Sequence, residues 1–436
     1  MSALRVEQIS PSKLQTNPRN SRFHGKKQIH QIAASIREFG FNNPVLIDRD
    51  NVIIAGHGRY EAAGVLGLDT IPVLRIEHLS EEQKRMFALA GNKIAQNAGW
   101  DMEMLRLDLV ELASLNLSLD LEITGFETAE IDLLIDGPTN PTRADRGDVI
   151  PPLEADAISR LGDLWHLGEH RLLCGNACDK DAYADVMGGE KARLVFTDPP
   201  YNVPIDGHVG GLGAIKHREF KMASGEMSSA EFISFLATIF GNMAEVSVDG
   251  AIHFVCMDWR HMAEVMSAAT GIYSGLKNLC VWNKNNGGMG SFYRSKHELV
   301  FVYKVGNEPH INTVELGKSG RYRTNVWDYA GVNTWRVGRE ADLEMHPTVK
   351  PNALVIDAIK DCSRRGDIVL DPCVGSGTTI IAAQKAGRRA RAIELDPLYV
   401  DVAVRRWEAF TGQAATMDIS GESFADVMDR RTDPLQ

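Results

Sequence analysis

The sequence predicts an α/β protein with a doubly wound, largely parallel sheet, preceded by a small α+β unit. Short apolar runs alternate with amphipathic stretches after about residue 190, which is typical of such a sheet. A stretch rich in proline and glycine interrupts the chain well before them. Because 436 residues exceed one compact unit, we expect two domains.

Five short apolar runs in the second half are expected to form the buried strands of the main sheet. These runs cover residues 194–197, 251–255, 299–303, 368–370 and 390–393. Amphipathic stretches between them predict helices over residues 229–240, 351–362 and 378–386. Ligands bind at the carboxyl ends of the strands in sheets of this kind, so functional residues are expected there.

The first half of the chain combines stretches with helical periodicity and short apolar runs typical of strands. Helices are expected over residues 28–39 and 59–66, and strands over residues 45–47, 52–54 and 71–74. Three helical stretches follow, over residues 81–98, 102–115 and 128–135. The predicted domains are an α+β domain with a helical extension (1–136), a linker (137–158), a second domain (159–415) and a polar, poorly ordered tail (416–436).

Charge is segregated along the chain, although the formal net charge is −11. Residues 1–60 and residues 284–339 each carry nine basic and four acidic side chains, whereas residues 101–136 carry ten acids and one arginine. The two basic stretches could face phosphates. The chain has six scattered cysteines and no apolar run near the ~18 residues of a membrane span. We expect a cytoplasmic protein with reduced thiols and no membrane partner.

Asp198-Pro199-Pro200-Tyr201 directly follows the expected strand that ends at Thr197. An exocyclic amine on a heterocycle is a weak nucleophile because its lone pair is delocalised into the ring. The Asp198 carboxylate and the Pro199 carbonyl can accept its two N–H bonds, which favours a more nucleophilic nitrogen. The two prolines hold these acceptors still and add no backbone donors. Tyr201 offers a ring face to a flipped-out base. A structural turn is the alternative reading of such a Pro-rich tetrapeptide.

A second motif, Asp371-Pro372-Cys373-Val374-Gly375-Ser376-Gly377-Thr378-Thr379, lies between an expected strand and an expected helix. Its two glycines allow the backbone to approach a ligand where a Cβ atom would clash. It matches neither the dinucleotide fingerprint nor the P-loop. Glu394 ends the next expected strand, about twenty residues after Gly375, at the spacing of carboxylates that bind ribose hydroxyls. Together the two motifs favour S-adenosylmethionine as the ligand.

Residues from about 159 to 410 resemble the permuted amino-methyltransferases of DNA called the β class, in which the catalytic motif precedes the cofactor loop. The resemblance implies a Rossmann-like, S-adenosylmethionine-dependent methyltransferase sheet with Asp198, Pro199, Pro200 and Tyr201 as catalytic residues. The segment 346–351 resembles the family's His-Pro-Thr-x-Lys-Pro, which implies that it helps to hold the methionine carboxylate of the cofactor. Residue 176 is Asn where the family often has Asp. The expected cofactor-binding residues are Asn176, Thr348, Lys350, Asp371, Pro372, Gly375, Ser376, Gly377, Thr378 and Glu394.

Basic residues interleaved with aromatic residues fill the segment 304–345, where this family has its target-recognition region. Such a composition suits contacts with phosphates and bases. An insertion with aromatics packed on the core is the competing interpretation. The candidate DNA contacts are Lys284, Arg294, Arg321, Arg323, Arg336 and Arg339.

The N-terminal region resembles the ParB/sulfiredoxin-like superfamily over roughly residues 4–80, through Asn17-Pro18-Arg19, the segment 35–40 and Ile54-Ala55-Gly56-His57-Gly58-Arg59. Chromosome-segregation members read nucleotide phosphate with paired arginines, and this loop keeps only one. It lacks the cysteine of sulfiredoxins, and no carboxylate cluster for nuclease chemistry is evident. The resemblance implies contact with DNA or a partner protein, with Arg19, His57 and Arg59 as candidate anion contacts.

The resulting hypothesis is a site-specific enzyme that methylates the N6 of a flipped adenine in double-stranded DNA, without a metal. N4 methylation of cytosine uses the same geometry. Methylation of glutamine in proteins is a more distant alternative. A DNA-binding ParB-like partition or regulatory module with an inactive methyltransferase half is an alternative of another class. The fused ParB-like domain resembles phage and mobile-element enzymes, which favours a solitary enzyme over a restriction–modification partner. The sequence leaves open whether the protein is a homodimer.

Overall fold

The computed structural model describes residues 5–115, 120–136, 146–202, 225–284, 292–314, 323–330 and 349–432. The chain divides into two compact units, Met1–Thr139 and Asn140–Gln436. No helix in the described ranges is long and apolar enough to cross a membrane.

The first unit contains a four-stranded sheet with the order β1-β4-β2-β3. Strands β2 and β4 are parallel, and the other two pairs are antiparallel. Branched aliphatic side chains of β2, β3 and β4, such as Val45, Ile53 and Ile71, are fully buried and form the core. In chain order the elements are β1 (Val6–Ile9), α1 (Lys26–Phe39), β2 (Val45–Ile47), β3 (Ile53–Ala55), α2 (His57–Leu66), β4 (Ile71–Arg75), α3 (Glu81–Gln96), α4 (Met102–Ser114) and α5 (Thr128–Asp136).

Local chemistry explains where several of these helices begin. Ser80 and Gln83 form a capping box at the start of α3, and the Asp101 carboxylate accepts two backbone N–H bonds at the start of α4. Gly56 has a left-handed backbone (φ +106°), which turns the chain from β3 into α2. The helices and strands expected from the sequence are present within a few residues. The edge strand β1 was not predicted, because no residue in it is buried.

The second unit contains a ten-stranded sheet with the order β11-β9-β10-β8-β7-β12-β13-β6-β5-β14. In chain order its elements are β5 (Leu164–Leu167), β6 (His170–Cys174), α6 (Lys180–Met187), β7 (Ala192–Thr197), α7 (Ser229–Glu245), β8 (Ser247–Met257), α8 (Met262–Ala268), β9 (Gly275–Asn283), β10 (His297–Lys304), β11 (Val326–Asp328), α9 (Asn352–Cys362), β12 (Ile368–Asp371), α10 (Thr378–Ala386), β13 (Arg389–Glu394), α11 (Pro397–Thr411), β14 (Thr416–Met417) and α12 (Phe424–Thr432).

The five central strands, β8, β7, β12, β13 and β6, run parallel to one another. Successive side chains of β7 point to opposite faces of the sheet, and each face has its own apolar core. Phe196 packs in the core that includes α9, α10 and α11, whereas Val195 packs in the core that includes α6, α7 and α8. This confirms the predicted doubly wound sheet. The run expected over residues 299–303 is a strand, β10, but it is antiparallel to β8 and β9.

Residues expected to be linker and tail are partly built into the second unit. The backbone N–H groups of Ile158 and Ser159 donate to the Asp401 carboxylate of α11, at 2.6 and 2.9 Å. The tail adds β14 and α12, in contrast to the poorly ordered segment that its polarity predicted. Val427 of α12 is fully buried, and Arg431 donates to the Asp163 carboxylate. Met417 of β14 and Phe424 and Val427 of α12 are the buried apolar residues that attach this tail to the domain.

Candidate active site

A cleft lies at the carboxyl edge of the parallel strands, which is where ligands bind in sheets of this type. Asp198 directly follows β7, Asp371 ends β12, Glu394 ends β13 and Asn176 follows β6, and these four strands are neighbours in the sheet. Most of the predicted site residues line this cleft. They are Asn176, Asp198, Pro199, Pro200, Tyr201, Lys350, Asp371, Pro372, Gly375, Ser376, Thr378 and Glu394. Thr348 lies outside the described residues.

Asp198 is held by two donors, one on each carboxylate oxygen. The Tyr201 hydroxyl donates to Oδ1 at 2.5 Å, and the Lys350 ammonium donates to Oδ2. Pro199 is buried, and neither proline carries an N–H group that could compete for the carboxylate. The carboxylate is therefore fixed at the end of β7, with its side chain about four-fifths buried.

Lys350 connects the Asp-Pro-Pro-Tyr motif to a carboxylate that the sequence analysis did not identify. Its ammonium lies 3.0 Å from Oε2 of Glu298 on β10 and 3.3 Å from the Tyr201 hydroxyl. Lys284 at the end of β9 donates to Oε1 of the same glutamate. The Trp282 ring centroid lies 4.6 Å from the Lys284 ammonium and 5.8 Å from that of Lys350. Positive and negative groups alternate through this cluster.

Burial and pairing act in opposite directions on the pKa values of this cluster. Burial raises the pKa of Asp198, and the Lys350 charge opposes the rise. Burial would also raise the pKa of Glu298, but Lys350 and Lys284 lower it to about 2. Burial raises the pKa of Tyr201 well above its usual value, and the Asp198 charge raises it further. Tyr201 therefore stays protonated and acts as a donor.

The carboxylates at the ends of β12 and β13 accept hydrogen bonds from backbone and hydroxyl donors. Asp371 accepts the Thr379 hydroxyl at 2.6 Å and the Cys373 N–H at 3.1 Å. Glu394 accepts the N–H groups of Gly375 (2.9 Å) and Asp396 (2.8 Å), which ties the glycine loop to the end of β13. Burial raises the pKa of Asp371 and that of Glu394 to about 7. Both groups are thus poised to change charge near neutral pH.

The two glycines of the loop have different roles. Both have left-handed backbone, with φ of +54° at Gly375 and +84° at Gly377. A Cβ atom at Gly377 would lie 2.9 Å from Cβ of Ala403, so this glycine permits the close approach of α11 rather than of a ligand. A Cβ atom at Gly375 would meet no atom of the described residues within 4 Å, and Gly375 lines the cleft.

Arg406 on α11 supports the loop from behind and was not predicted. Its guanidinium donates to the Ser376 carbonyl (3.0 Å), the Thr378 hydroxyl (3.1 Å) and the Gly147 carbonyl (2.7 Å). Only 2% of Arg406 is exposed, and this burial lowers its pKa to about 10. The Ser376 and Thr378 hydroxyls both lie within hydrogen-bond distance of the guanidinium. A charged residue in an ordinary amphipathic helix gives no sequence signal for this role.

The candidate DNA contacts fall into three groups. Arg323 faces inward, where it donates to Asp361 (2.8 Å) and Asp357 (3.1 Å) and lies over the Trp327 ring. Lys284 pairs with Glu298, as described above, and Arg294 lies on the surface. Arg321, Arg336 and Arg339 lie outside the described residues.

In the first unit, Arg19, His57 and Arg59 line a second cleft at the start of α2. His57 accepts the Asn17 N–H at 3.3 Å, and burial lowers its pKa. Arg59 donates to the Pro44 carbonyl at 3.4 Å, while its Nε is buried without a hydrogen-bond partner. The structure thus brings these three predicted residues together.

Parallel strands that end in a clustered set of carboxylates, with a glycine loop before a helix, define a Rossmann-like methyltransferase domain. Comparison with known families agrees. Residues 192–405 match a family model described as DNA methylase, so the chain carries a domain of the N6/N4 DNA methylase type. It carries a ParB N-terminal domain over residues 1–93 and a ParB-methyltransferase helix-turn-helix domain over residues 103–161. The second part of the chain is therefore a DNA methyltransferase domain of a family that uses S-adenosylmethionine.

The similar proteins cover the two parts of the chain separately. The ParB-like nuclease domain-containing protein YnaK of Escherichia coli is 48% identical over 66 residues, which are 15% of this chain and 76% of YnaK. The DNA adenine methyltransferase YhdJ of Escherichia coli is 26% identical over 282 residues, 58% of this chain and 88% of YhdJ. The M1.HpyAVI-SAM complex is 18% identical with a TM-score of 0.38, covering 54% of this chain and 98% of that one. The cytosine-N4-specific PvuII DNA methyltransferase is 14% identical with a TM-score of 0.43, covering 64% and 95%.

The helix-turn-helix match covers residues 103–161, a segment that the sequence analysis described only as a helical extension followed by a linker. The matched segment includes α4, a 3₁₀ turn (Leu121–Thr124) and α5. Two short amphipathic helices joined by a turn that ends at Gly125 were the available signal.

Proposed function

We propose that this protein transfers a methyl group from S-adenosylmethionine to the exocyclic N6 of a flipped adenine in DNA. The observation that carries the proposal is the fixed, buried Asp198 carboxylate beside the Pro199 carbonyl, at the end of β7 and next to the acidic part of the cleft. Two adjacent acceptors at a rigid turn suit an amine with two N–H groups, because both bonds can be accepted at once.

The residues at the cofactor side fit S-adenosylmethionine by their charge. The cleft is lined by the carboxyl groups of Asp371, Glu394 and Asp396, and the cofactor carries a cationic sulfonium, an ammonium group and ribose hydroxyls. We assign Asp371, Glu394 and the backbone of Gly375 to cofactor binding. When bound there, the cofactor supplies an electrophilic methyl group.

The residues of the catalytic motif then act on the target base. Asp198 and the Pro199 carbonyl accept the amine N–H bonds and orient the nitrogen lone pair toward the methyl donor. Tyr201 stacks on the base while its hydroxyl holds Asp198. The nitrogen carries positive charge until it loses a proton, and the neighbouring carboxylate stabilises that charge. No general base has to act before the transfer.

We assign adenine rather than cytosine because residue 198 is Asp. In the family that the sequence resembles, Ser at this position would favour cytosine. YhdJ, a DNA adenine methyltransferase, supports the same choice through its 26% identity. N4 methylation of cytosine is the alternative, because its amine presents the same two N–H groups.

The test is to express the chain in a host without DNA methylation and to analyse the digested nucleosides by mass spectrometry. We expect N6-methyladenine, with Asp198→Ala as the inactive control. Sequencing of the modified DNA then gives the target site. Detection of N4-methylcytosine would show that the methylated base is cytosine instead. Unmodified DNA, obtained with a protein that folds and binds the cofactor, would refute DNA methylation.

A further inference from the structure

Glu298 lies beside the catalytic motif although it belongs to a different part of the sheet. It is the second residue of β10, which is antiparallel to β8, so the start of β10 lies at the same edge as the carboxyl end of β8. Its side chain is only 12% exposed and shares the Lys350 ammonium with Asp198. The mechanism above uses neither Glu298 nor Lys350.

We propose that Glu298 and Lys350 are positioning residues for the methyl transfer: Glu298 anchors Lys350, and Lys350 keeps the Asp198 carboxylate ionised and oriented to receive the target amine. This inference rests on the proposed function, and it gives Lys350 a different role from the cofactor-carboxylate contact that the family resemblance implies.

The hydrogen-bond capacity of Lys350 supports this role. An ammonium group has three N–H donors. Within the described part of the chain, Lys350 has three acceptors around it, which are Oδ2 of Asp198, Oε2 of Glu298 and the Tyr201 hydroxyl. With 5% of the side chain exposed, its donors are committed to the catalytic motif and to Glu298. A cofactor carboxylate would have to displace one of these partners.

The charge balance explains why Glu298 is needed as well. A buried carboxylate without a cation becomes protonated, and a protonated carboxyl is a poorer acceptor for an amine. Lys350 is the cation beside Asp198, and Glu298 holds its ammonium from the other side. Lys284 fills the other oxygen of Glu298, so two carboxylates and two ammonium groups balance one another and each carboxylate has a cationic partner.

The ionisation of Asp198 responds to several charged and titratable groups around it. Lys350 favours the carboxylate, whereas Glu298 disfavours it. The remaining groups are Tyr201 within its own motif, Cys256 on β8, and Asp371 and Cys373 at the end of β12.

Two charge-removing variants have opposite expected effects on the pH profile of single-turnover methyl transfer at saturating cofactor. Lys350→Met removes the cation, so the pKa of Asp198 rises and the acidic limb of the profile moves to higher pH. We expect a loss of about 10²-fold at neutral pH. Glu298→Gln removes a like charge, so the acidic limb moves to lower pH, while the maximal rate falls because Lys350 loses an anchor. Lys350→Arg retains the positive charge, so the acidic limb of its pH profile should lie near that of the wild-type protein.

S-adenosylmethionine affinity, measured by equilibrium dialysis on the full chain, separates this role from cofactor binding. We expect the dissociation constant to stay within about twofold in all three variants. A tenfold weaker affinity in Lys350→Met with an unmoved pH limb would overturn the inference. If Lys350→Met does not fold, the test is the pH profile of Glu298→Gln: a shift of its acidic limb to lower pH supports the inference, and any other result contradicts it. Failure of the unchanged protein to methylate DNA would instead overturn the proposed function.

Discussion

The two clefts of this protein have opposite charge. The proposed catalytic cleft, at the carboxyl ends of β7, β12, β13 and β6, is lined among the described residues by four carboxyl groups and one lysine: Asp198, Asp371, Glu394, Asp396 and Lys350. The basic cleft of the first unit is lined, among the described residues, by four arginines, two histidines and no carboxyl group: Arg19, Arg22, Arg59, Arg85, His24 and His57. An acidic site suits a cationic cofactor, whereas a basic site suits an anion such as a phosphate.

The clefts also differ in how their charges are compensated. At the first of these clefts Lys350 pairs with both Asp198 and Glu298, and all three side chains are largely buried. In the basic cleft Arg59 has, among the described residues, one long hydrogen bond to a backbone carbonyl, and its buried Nε has no partner there. Paired, buried charges preorganise a reaction, while under-satisfied donors favour binding of a ligand that completes them.

The largest expected effect is a loss of methyl transfer when the first cleft, but not the second, is altered. Asp198→Ala removes the acceptor that orients the amine, and we expect methyl transfer to fall by about 10³-fold or more. Cofactor binding should persist, because Asp371 and Glu394 are unchanged. Arg59→Ala is the matched change in the other cleft and should keep the maximal rate of transfer. Tritiated methyl incorporation measures both, and equal losses in the two variants would contradict a separate catalytic cleft.

The next effect concerns the stability of the cofactor loop. Arg406→Met leaves the Ser376 and Gly147 carbonyls without their donor, and we expect a loss of about 3 kcal/mol in unfolding free energy together with weaker cofactor binding. Arg405→Met on the same helix changes only a partly exposed cation–π contact with Phe424, so it should cost about 1 kcal/mol or less. Chemical denaturation followed by circular dichroism measures both. Similar losses in the two variants would refute the role of Arg406.

The pH dependence of cofactor binding is expected to be moderate. The pKa values of Asp371 and Glu394 are both raised to about 7 by burial, so both groups ionise as pH rises through 7. Affinity for the cationic cofactor should therefore increase by about tenfold across this transition. Isothermal titration calorimetry checks it, and Glu394→Gln should flatten the dependence. A wild-type affinity that is constant with pH would show that neither carboxyl group meets the cofactor.

The same shifts predict the opposite trend for the free protein. Because these folded-state pKa values exceed the unfolded ones, the folded state binds more protons between about pH 4 and pH 7, and stability falls as pH rises through that window. Cofactor should offset this loss above pH 7. Thermal melting with and without cofactor is the measurement, and a free-protein stability that rises steadily across the window would contradict the assignment.

The smallest effect tests the basic cleft. Arg59→Ala should weaken DNA binding a few-fold and reduce the slope of log affinity against log salt by about one, without a change in cofactor affinity. Arg49→Ala is the control, since Arg49 is exposed in the same unit but does not line the cleft. Fluorescence anisotropy with labelled duplex DNA measures both variants. An equal change in both would indicate a general charge effect.

The sequence predicted which residues line the proposed catalytic cleft, because the main ones directly follow or end buried strands. Asp198, Asp371 and Glu394 each come at the end of an apolar run, and parallel strands bring their ends to one edge. Glu298 could not be found in this way. It begins an antiparallel strand, and only the order of the strands in the sheet places it beside Asp198.

The basic and aromatic composition of residues 304–345 was a weaker guide. Arg323, Trp327 and Tyr329 interact with one another and with helix α9, through Asp357 and Asp361. Composition alone does not distinguish an arginine that meets phosphate from one that meets internal carboxylates, because both need the same donors. Whether an arginine contacts phosphate or an internal carboxylate depends on which carboxylates the tertiary structure places beside it.

The contact between Arg406 and the Gly147 carbonyl limits where this protein can be divided or recombined. A methyltransferase fragment beginning at residue 159 would retain every strand of the large sheet, yet it would leave the Arg406 guanidinium without one of its acceptors. A Cβ atom at position 147 would lie 2.8 Å from Ile381, so a substituted linker would need glycine at the same place. Gene fusions that exchange the N-terminal region should therefore join upstream of residue 146.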